Sequence, residues 1–231
     1  MLKHVRKGDP INAVEILRWI SPIAGMSMKF ILAFYFLKIY TQEKKEIPFV
    51  WGTGFFFFGL SQIPVLAMRY FQDPEMNIAF ALLAAFLAAL SLALMYYGAA
   101  LLYFPKSSFM REKLTIFSFV VMTAVIVAFP FALSTEDVLR SIFVVVSSGF
   151  IFPMLFMVAL IFSVIWRRLA PDNPRRTGVL LVAGALLVYS VASGITSTYF
   201  GRQFDWVFAI VSIVSFLTLL YGMILGKATG H

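Results

Sequence analysis

Apolar residues do not alternate with polar ones along this chain; they run together. Seven apolar stretches, Pro22 to Tyr40, Ile47 to Met68, Ile78 to Phe104, Leu114 to Leu133, Ser141 to Trp166, Thr177 to Phe200 and Trp206 to Gly226, are separated by short polar linkers. Each has about the 20 helical residues needed to cross a hydrocarbon core about 30 Å thick. In lipid every backbone N–H and C=O must find an internal partner, so only helices or closed barrels span. The stretches lack the period-two alternation of a barrel strand. The pattern therefore predicts an all-α integral membrane protein of seven transmembrane helices, with almost no chain left for a domain outside the bilayer.

The first 21 residues differ. MLKHVRKGDP is basic, but the following INAVEILRWI contains Glu15 and Arg18, so it does not read as the apolar core of a signal peptide. Asp9 can cap a helix, Pro10 suits its first position, and Ile11, Val14, Leu17 and Ile20 recur on one face. This reads as a short amphipathic helix lying on the membrane. Ser21-Pro22 repeats the cap-plus-proline signal, which places a turn before the first span. One long kinked helix is the other reading.

Composition agrees with a membrane chain: 61% hydrophobic and 13% charged over 231 residues, with mean hydropathy +0.90. Soluble domains carry about a quarter charged residues. The formal net charge of +8 does not point to nucleic acid, because the cations sit at helix ends, where they orient the chain and meet anionic lipid headgroups. Lys38, Lys44, Lys45, Lys106, Arg111, Lys113, Arg167, Arg168, Arg175, Arg176 and Lys227 fall on one side. The opposite loops have Arg69, Arg140 and Arg202, with Asp73, Glu75, Glu136, Asp137 and Asp205. The positive-inside rule then puts the N-terminus outside and the C-terminus in the cytoplasm, although Lys3, Arg6, Lys7 and Arg18 dissent. No cysteine and no Asn-x-Ser/Thr sequon occurs, which leans toward the cytoplasmic membrane of a prokaryote.

An internal repeat organises the spans. With FLKIYTQEKKEIPFVWG set above FSVIWRRLAPDNPRRTG without a gap, Phe36, Ile39, Pro48 and Gly52 fall on Phe162, Ile165, Pro174 and Gly178. The same offset pairs Ser21 with Ser147, Met28 with Met154, Phe30 with Phe156 and Ala33 with Ala159. Small gaps bring Tyr97-Gly98 onto Tyr221-Gly222. Helices one to three thus match helices five to seven with the same membrane orientation, a parallel 3+1+3 plan. The divisions are 1–21, a three-helix unit 22–104, a connector 105–140 with helix four, and a three-helix unit 141–231. This plan resembles that of the sugar-transporting SWEET proteins in architecture alone, because their proline-glutamine pair is missing from the first helix of either unit; Gln62 stands in helix two. Microbial rhodopsins resemble it in orientation, but WVFAIVSIVSFLTLLYGMILG lacks their lysine in helix seven.

Candidate chemistry is sparse. The histidines, His4 and His231, stand at opposite ends, and every acid from Glu43 onward lies in a linker or at a helix end. Nothing here makes a metal site, a cofactor site, a nucleophile with its base, or the carboxylate at depth that ion coupling needs. Lys29 is the one ionisable side chain well inside a span, about 10 Å along the axis from Pro22. Its ordinary reading is a lysine that snorkels to the outer headgroups. Its functional reading faces the bundle and pairs with an anion or with Gln62. In the other unit Leu155 stands at its place. Ser61 and Gln62 in helix two, and Tyr189, Ser190, Ser193 and Ser197 in helix six, complete the candidate ligand-binding set. Serines at such spacing ordinarily serve close helix packing. Of the four rings Phe55 to Phe58, only one or two can share a helix face. Pro64, Pro130 and Pro153 are candidate bends.

The function expected is a non-catalytic sensor or receptor module for a small or lipophilic ligand. A facilitative transporter of a small or lipid-like solute and a structural subunit of a larger membrane complex are the alternatives. The partners expected are membrane lipids, a membrane or cytoplasmic signalling protein, and a second copy of the chain.

Overall fold

A computed structural model describes residues 13–68, 70–71, 73–132, 135–195 and 205–228. In chain order the helices are α1 (Ala13–Glu43), α2 (Glu46–Leu60), α3 (Gln62–Ala67), α4 (Pro74–Tyr103), α5 (Lys113–Ala132), α6 (Thr135–Val144), a π-helical segment Val145–Ile151, α7 (Phe152–Arg168), α8 (Arg176–Ile195) and α9 (Asp205–Ala228). There is no strand among the described residues. Seven helical stretches are long and apolar enough to cross a membrane, the second made of α2 and α3 and the fifth running from α6 into α7. The protein is an all-helical, multi-pass membrane protein, as the apolar runs predict.

The expected turn at Ser21-Pro22 is absent. Helix α1 runs through both residues with Pro22 in its interior, so from Ala13 onward the segment before the first span is no separate interfacial element. The continuous helix is the alternative the structure adopts. Pro22 has the φ of a helix and forfeits one backbone bond, which membrane helices tolerate. The Asp9-Pro10 cap lies outside the described residues.

The third span begins four residues earlier than its apolar run. Asp73 takes the N-cap, its carboxylate accepting from the Glu75 N–H at 3.0 Å, with Pro74 first in the helix. Two of the candidate prolines mark real breaks. Pro64 cannot donate to the Leu60 carbonyl, and the second span is interrupted there, α2 ending at Leu60 and α3 starting at Gln62. Pro153 likewise cannot serve the Gly149 carbonyl, and the π-helical turn lies immediately before it, the Phe152 N–H reaching back to Ser147 O. Pro130 stands two residues from the end of α5 and interrupts nothing.

Six spans close a ring in the order α1, α2 with α3, α4, α6 with α7, α8, α9 and back to α1. Helix α5 lies outside, chiefly against α4, with Ile116, Phe117, Val120 and Val127 exposed to the hydrocarbon. Alanines let α4 serve this many neighbours: Ala81, Ala85, Ala89, Ala93, Ala99 and Ala100 are buried along it, and small residues allow close helix approach.

Candidate functional site

Height in the membrane does not decide where Lys29 points; its azimuth on α1 does. Leu32, Ala33 and Phe36 follow it at the three- and four-residue spacing of one helix face, and all three are buried, whereas Ile31 and Phe34 on the other face are exposed. Lys29 heads the buried stripe and is itself only 5% exposed. Its ammonium is inside the bundle.

There it meets aromatic rings. Lys29 Nζ lies 4.1 Å from the ring centre of Phe58 in α2 and 5.6 Å from that of Phe216 in α9. Phe58 and Phe216 touch edge to face at 6.2 Å. Tyr189 of α8 packs on Phe216 at 4.8 Å, on Phe58 at 6.1 Å and on Phe208 at 5.7 Å. Four helices, two from each half of the ring, thus place a cation against a wall of π faces. No carboxylate among the described residues pairs with it; the ion pairs Lys45–Glu43 and Arg111–Glu112 lie in the linkers. A desolvated cation gains about 2 kcal/mol or more from such a ring, whereas taking an ammonium out of water costs several. The rings offset only part of the burial.

The other candidates divide. Ser61 is buried beside this wall, but its hydroxyl donates to Phe58 O at 2.8 Å. Gln62 is half-buried, and its Nε2 donates to Ser61 Oγ at a long 3.5 Å, not to Lys29. Ser190 donates to Leu187 O within its own helix. Ser193 turns to the fifth span, donating to Ser147 O at 3.5 Å, and Ser148 returns the contact by donating to Gly194 O at 3.3 Å. Ser193 therefore joins helices, which was the ordinary reading of that serine stripe. Ser197 lies outside the described residues. The structure brings Lys29 and Tyr189 together around Phe58 and Phe216, ties Ser61 to the Phe58 backbone and leaves Ser193 in a packing contact.

Phe58, Phe208 and Phe216 were not among the sequence candidates. Of the four consecutive phenylalanines, Phe55 and Phe58 are buried and Phe56 is exposed, so two share the inner face, as helix geometry requires. The i, i+3 relation of Phe55 to Phe58 was the available signal. Phe216 carried none, because its role depends on which helix it faces.

No family model, curated protein or solved structure matches the chain.

Among the described residues no three His, Asp or Glu side chains gather to ligate a metal. A groove between α8 and α9, lined by Leu180, Gly184, Val188, Val214, Ser215 and Thr218, opens outward, where Leu180, Val188 and Val214 are exposed. It is a lipid-facing surface apart from the lysine. What the Lys29 cluster can do chemically is bind: one cation, several ring faces, the Tyr189 phenol, and serine hydroxyls whose protons are engaged by backbone carbonyls.

Proposed function

We propose that the chain is a receptor- or sensor-type module of the prokaryotic cytoplasmic membrane, which binds a small or lipophilic ligand at Lys29 and conveys occupancy to its basic, cytoplasmic end without catalysis. One observation carries this reading: a lysine buried inside the bundle, held by aromatic faces and, among the described residues, by no acid. A group so placed is costly for the fold, and its place on α1 does not require a charge, since Leu155 fills the matching position of the other unit.

The parallel repeat is part of the proposal. Advancing the ring by three places lays α1 on the fifth span, α2 on α8 and α4 on α9, and each packing pair falls on a packing pair. Leu32 and Val158, Ala33 and Ala159, and Phe36 and Phe162 are buried alike. The ligand then sits where the first two helices of one unit meet the last two of the other. At the opposite end of the bundle Arg168 stacks over Tyr103 with 4.7 Å to the ring centre and Arg176 over Trp166 with 5.1 Å. Guanidinium groups held this way at a membrane boundary support the cytoplasmic orientation and contact with anionic headgroups.

The absence of cysteine from the sequence permits a direct test. Spin labels on the exposed positions of T41C and D172C, in nanodiscs, report the spacing of the basic ends of α1 and α7. Oleate, oleyl alcohol and oleylamine are added in turn. A distance change with at least one of them, lost in Lys29→Met, is the expected result; a distance unmoved by all three would sink the sensor reading. The twofold order of the ring favours the facilitative transporter as the second reading, and flux of the probe into liposomes at unchanged label distance would select it.

A further inference from the structure

We infer that the ligand of the Lys29 site is an amphiphile with a single negative charge, an oxyanion such as a carboxylate carried on an apolar chain or ring system. The inference rests on the reading of Lys29 as a ligand site and adds the chemistry of what fills it.

The donors set the charge. Lys29 Nζ has three N–H groups, and the Phe58 ring at 4.1 Å takes one side of the ammonium. The remaining side has room in its hydrogen-bonding capacity for one anionic group. Three serine hydroxyls on these helices do not add to it: Ser61 donates to Phe58 O, Ser190 to Leu187 O and Ser212 to Phe208 O at 2.7 Å. With their protons used, the serines offer lone pairs, which repel an anion. The Tyr189 phenol on the aromatic wall is a neutral donor that can serve the same oxyanion but brings no second charge. A dianionic phosphate monoester would need a second cation, and a sugar would need several donors and acceptors together. A zwitterion would need an acid for its ammonium. None of these is present around Lys29 among the described residues.

The walls set the rest of the molecule. Phe58, Tyr189, Phe208 and Phe216 pack face and edge on one another around the ammonium, so the surroundings of the charge are aromatic and a ligand's apolar part enters between these rings. A ring face carries negative quadrupole charge and disfavours an anion directly against it, so the oxyanion must sit at the ammonium while apolar groups occupy the aromatic surface. This is the division of a fatty acid: one charged head, the remainder hydrocarbon. A free carboxylate and the singly charged phosphodiester of a phospholipid share this chemistry.

Competition against the fluorescent fatty acid cis-parinarate, with purified protein in nonionic detergent, separates the cases. Oleate is expected to displace the probe about tenfold or more better than oleyl alcohol, since a hydrogen bond to a charged group contributes about 1.5–3 kcal/mol. In Lys29→Met that preference disappears, while its unfolding temperature is no lower than that of the wild type, which shows an intact fold. Dioleoylphosphatidylglycerol outcompeting oleate would support the charge class and name a lipid headgroup as its source. Equal displacement by oleate and oleyl alcohol in the wild type would overturn the charge class and leave the site itself standing. Binding of the probe that neither Lys29→Met nor Phe58→Leu alters would overturn the site, and with it the function proposed above.

Discussion

In the proposed repeat, helices α2 and α8 hold corresponding places in the ring, each in the middle of its three-helix unit, and each meets the unit's third helix at a glycine, but the two contacts are built differently. In the first unit a side chain fills the gap. A Cβ on Gly98 would come within 2.3 Å of the Trp51 ring, and one on Gly52 within 2.8 Å of Leu37 Cγ. In the second unit backbone meets backbone: a Cβ on Gly178 would lie 2.5 Å from Gly222 O and 2.8 Å from Gly226 N. Gly222 and Gly226 are the small-xxx-small pair that lets membrane helices touch. The same glycine positions thus give one unit an aromatic interior, with Trp51 against Phe36 and Phe55 and reaching Phe162 of the other unit, and give that other unit a tight clamp. The unit with side chains in the gap is also the one that carries the buried lysine.

Exchanging the charge between units should have the largest effect. Leu155 is fully buried, so Leu155→Lys places an ammonium at the matching position without the Phe58 and Phe216 faces that receive Lys29. We expect a loss of several kcal/mol, read as failure to recover monodisperse protein or as early unfolding in a denaturant titration. The reverse change, Lys29→Leu, is expected to leave the fold intact and to raise its unfolding temperature. Equal tolerance of both would remove the distinction between the units at this depth.

Next in size is the clamp. Gly178→Ala pushes a methyl into the Gly222 carbonyl, and since backbone cannot turn aside, the helices must separate, at a cost we place above about 3 kcal/mol, the upper end for overpacking. In the first unit the obstruction is a side chain. Gly98→Ala should cost about 1–3 kcal/mol, and Trp51→Phe should restore part of it by shortening the ring. Trp51 Nε1 is buried without a hydrogen-bond partner, so that second change also removes an unsatisfied donor. Measured as a double-mutant cycle, the pair is expected to be non-additive. A cycle that adds simply would mean that the ring does not set the α2–α4 spacing.

The seven spans were legible because length and uniform apolarity are one-dimensional signals. Their junctions were less so. Ser21-Pro22 has the residues of a helix start, and Asp73-Pro74 is one; only the surrounding packing separates them. For the site, direction was within reach: Ala33 and Phe36 mark the inner face of α1, and Lys29 belongs to it. The partners were not legible, because the approach of Phe58, Tyr189 and Phe216 depends on how three separate helices are rotated. Nor was the partner of Ser193, although its packing role was: the acceptor, Ser147 O, lies in the π-helical turn before Pro153. A periodic reading assigns every residue an α-helical register and has no place for that turn.

The smallest expected effect separates the two proline breaks. At Pro64 the nearby hydroxyl, Ser61, bonds to its own helix at Phe58 O, so it secures nothing across the bundle. At Pro153 the bond runs between spans, from Ser148 to Gly194 O, where the Phe152 ring also packs against Gly194. Hydrogen bonds between membrane helices contribute about 0.6 kcal/mol on average. Ser148→Ala should therefore cost roughly that much, with faster amide exchange toward the end of α8, while Ser61→Ala should cost less and leave exchange in α4 unchanged. Equal exchange changes across both breaks would show that the π-helical turn is held by apolar packing alone, and that the second unit, like the first, is secured by its side chains rather than by bonds to freed carbonyls.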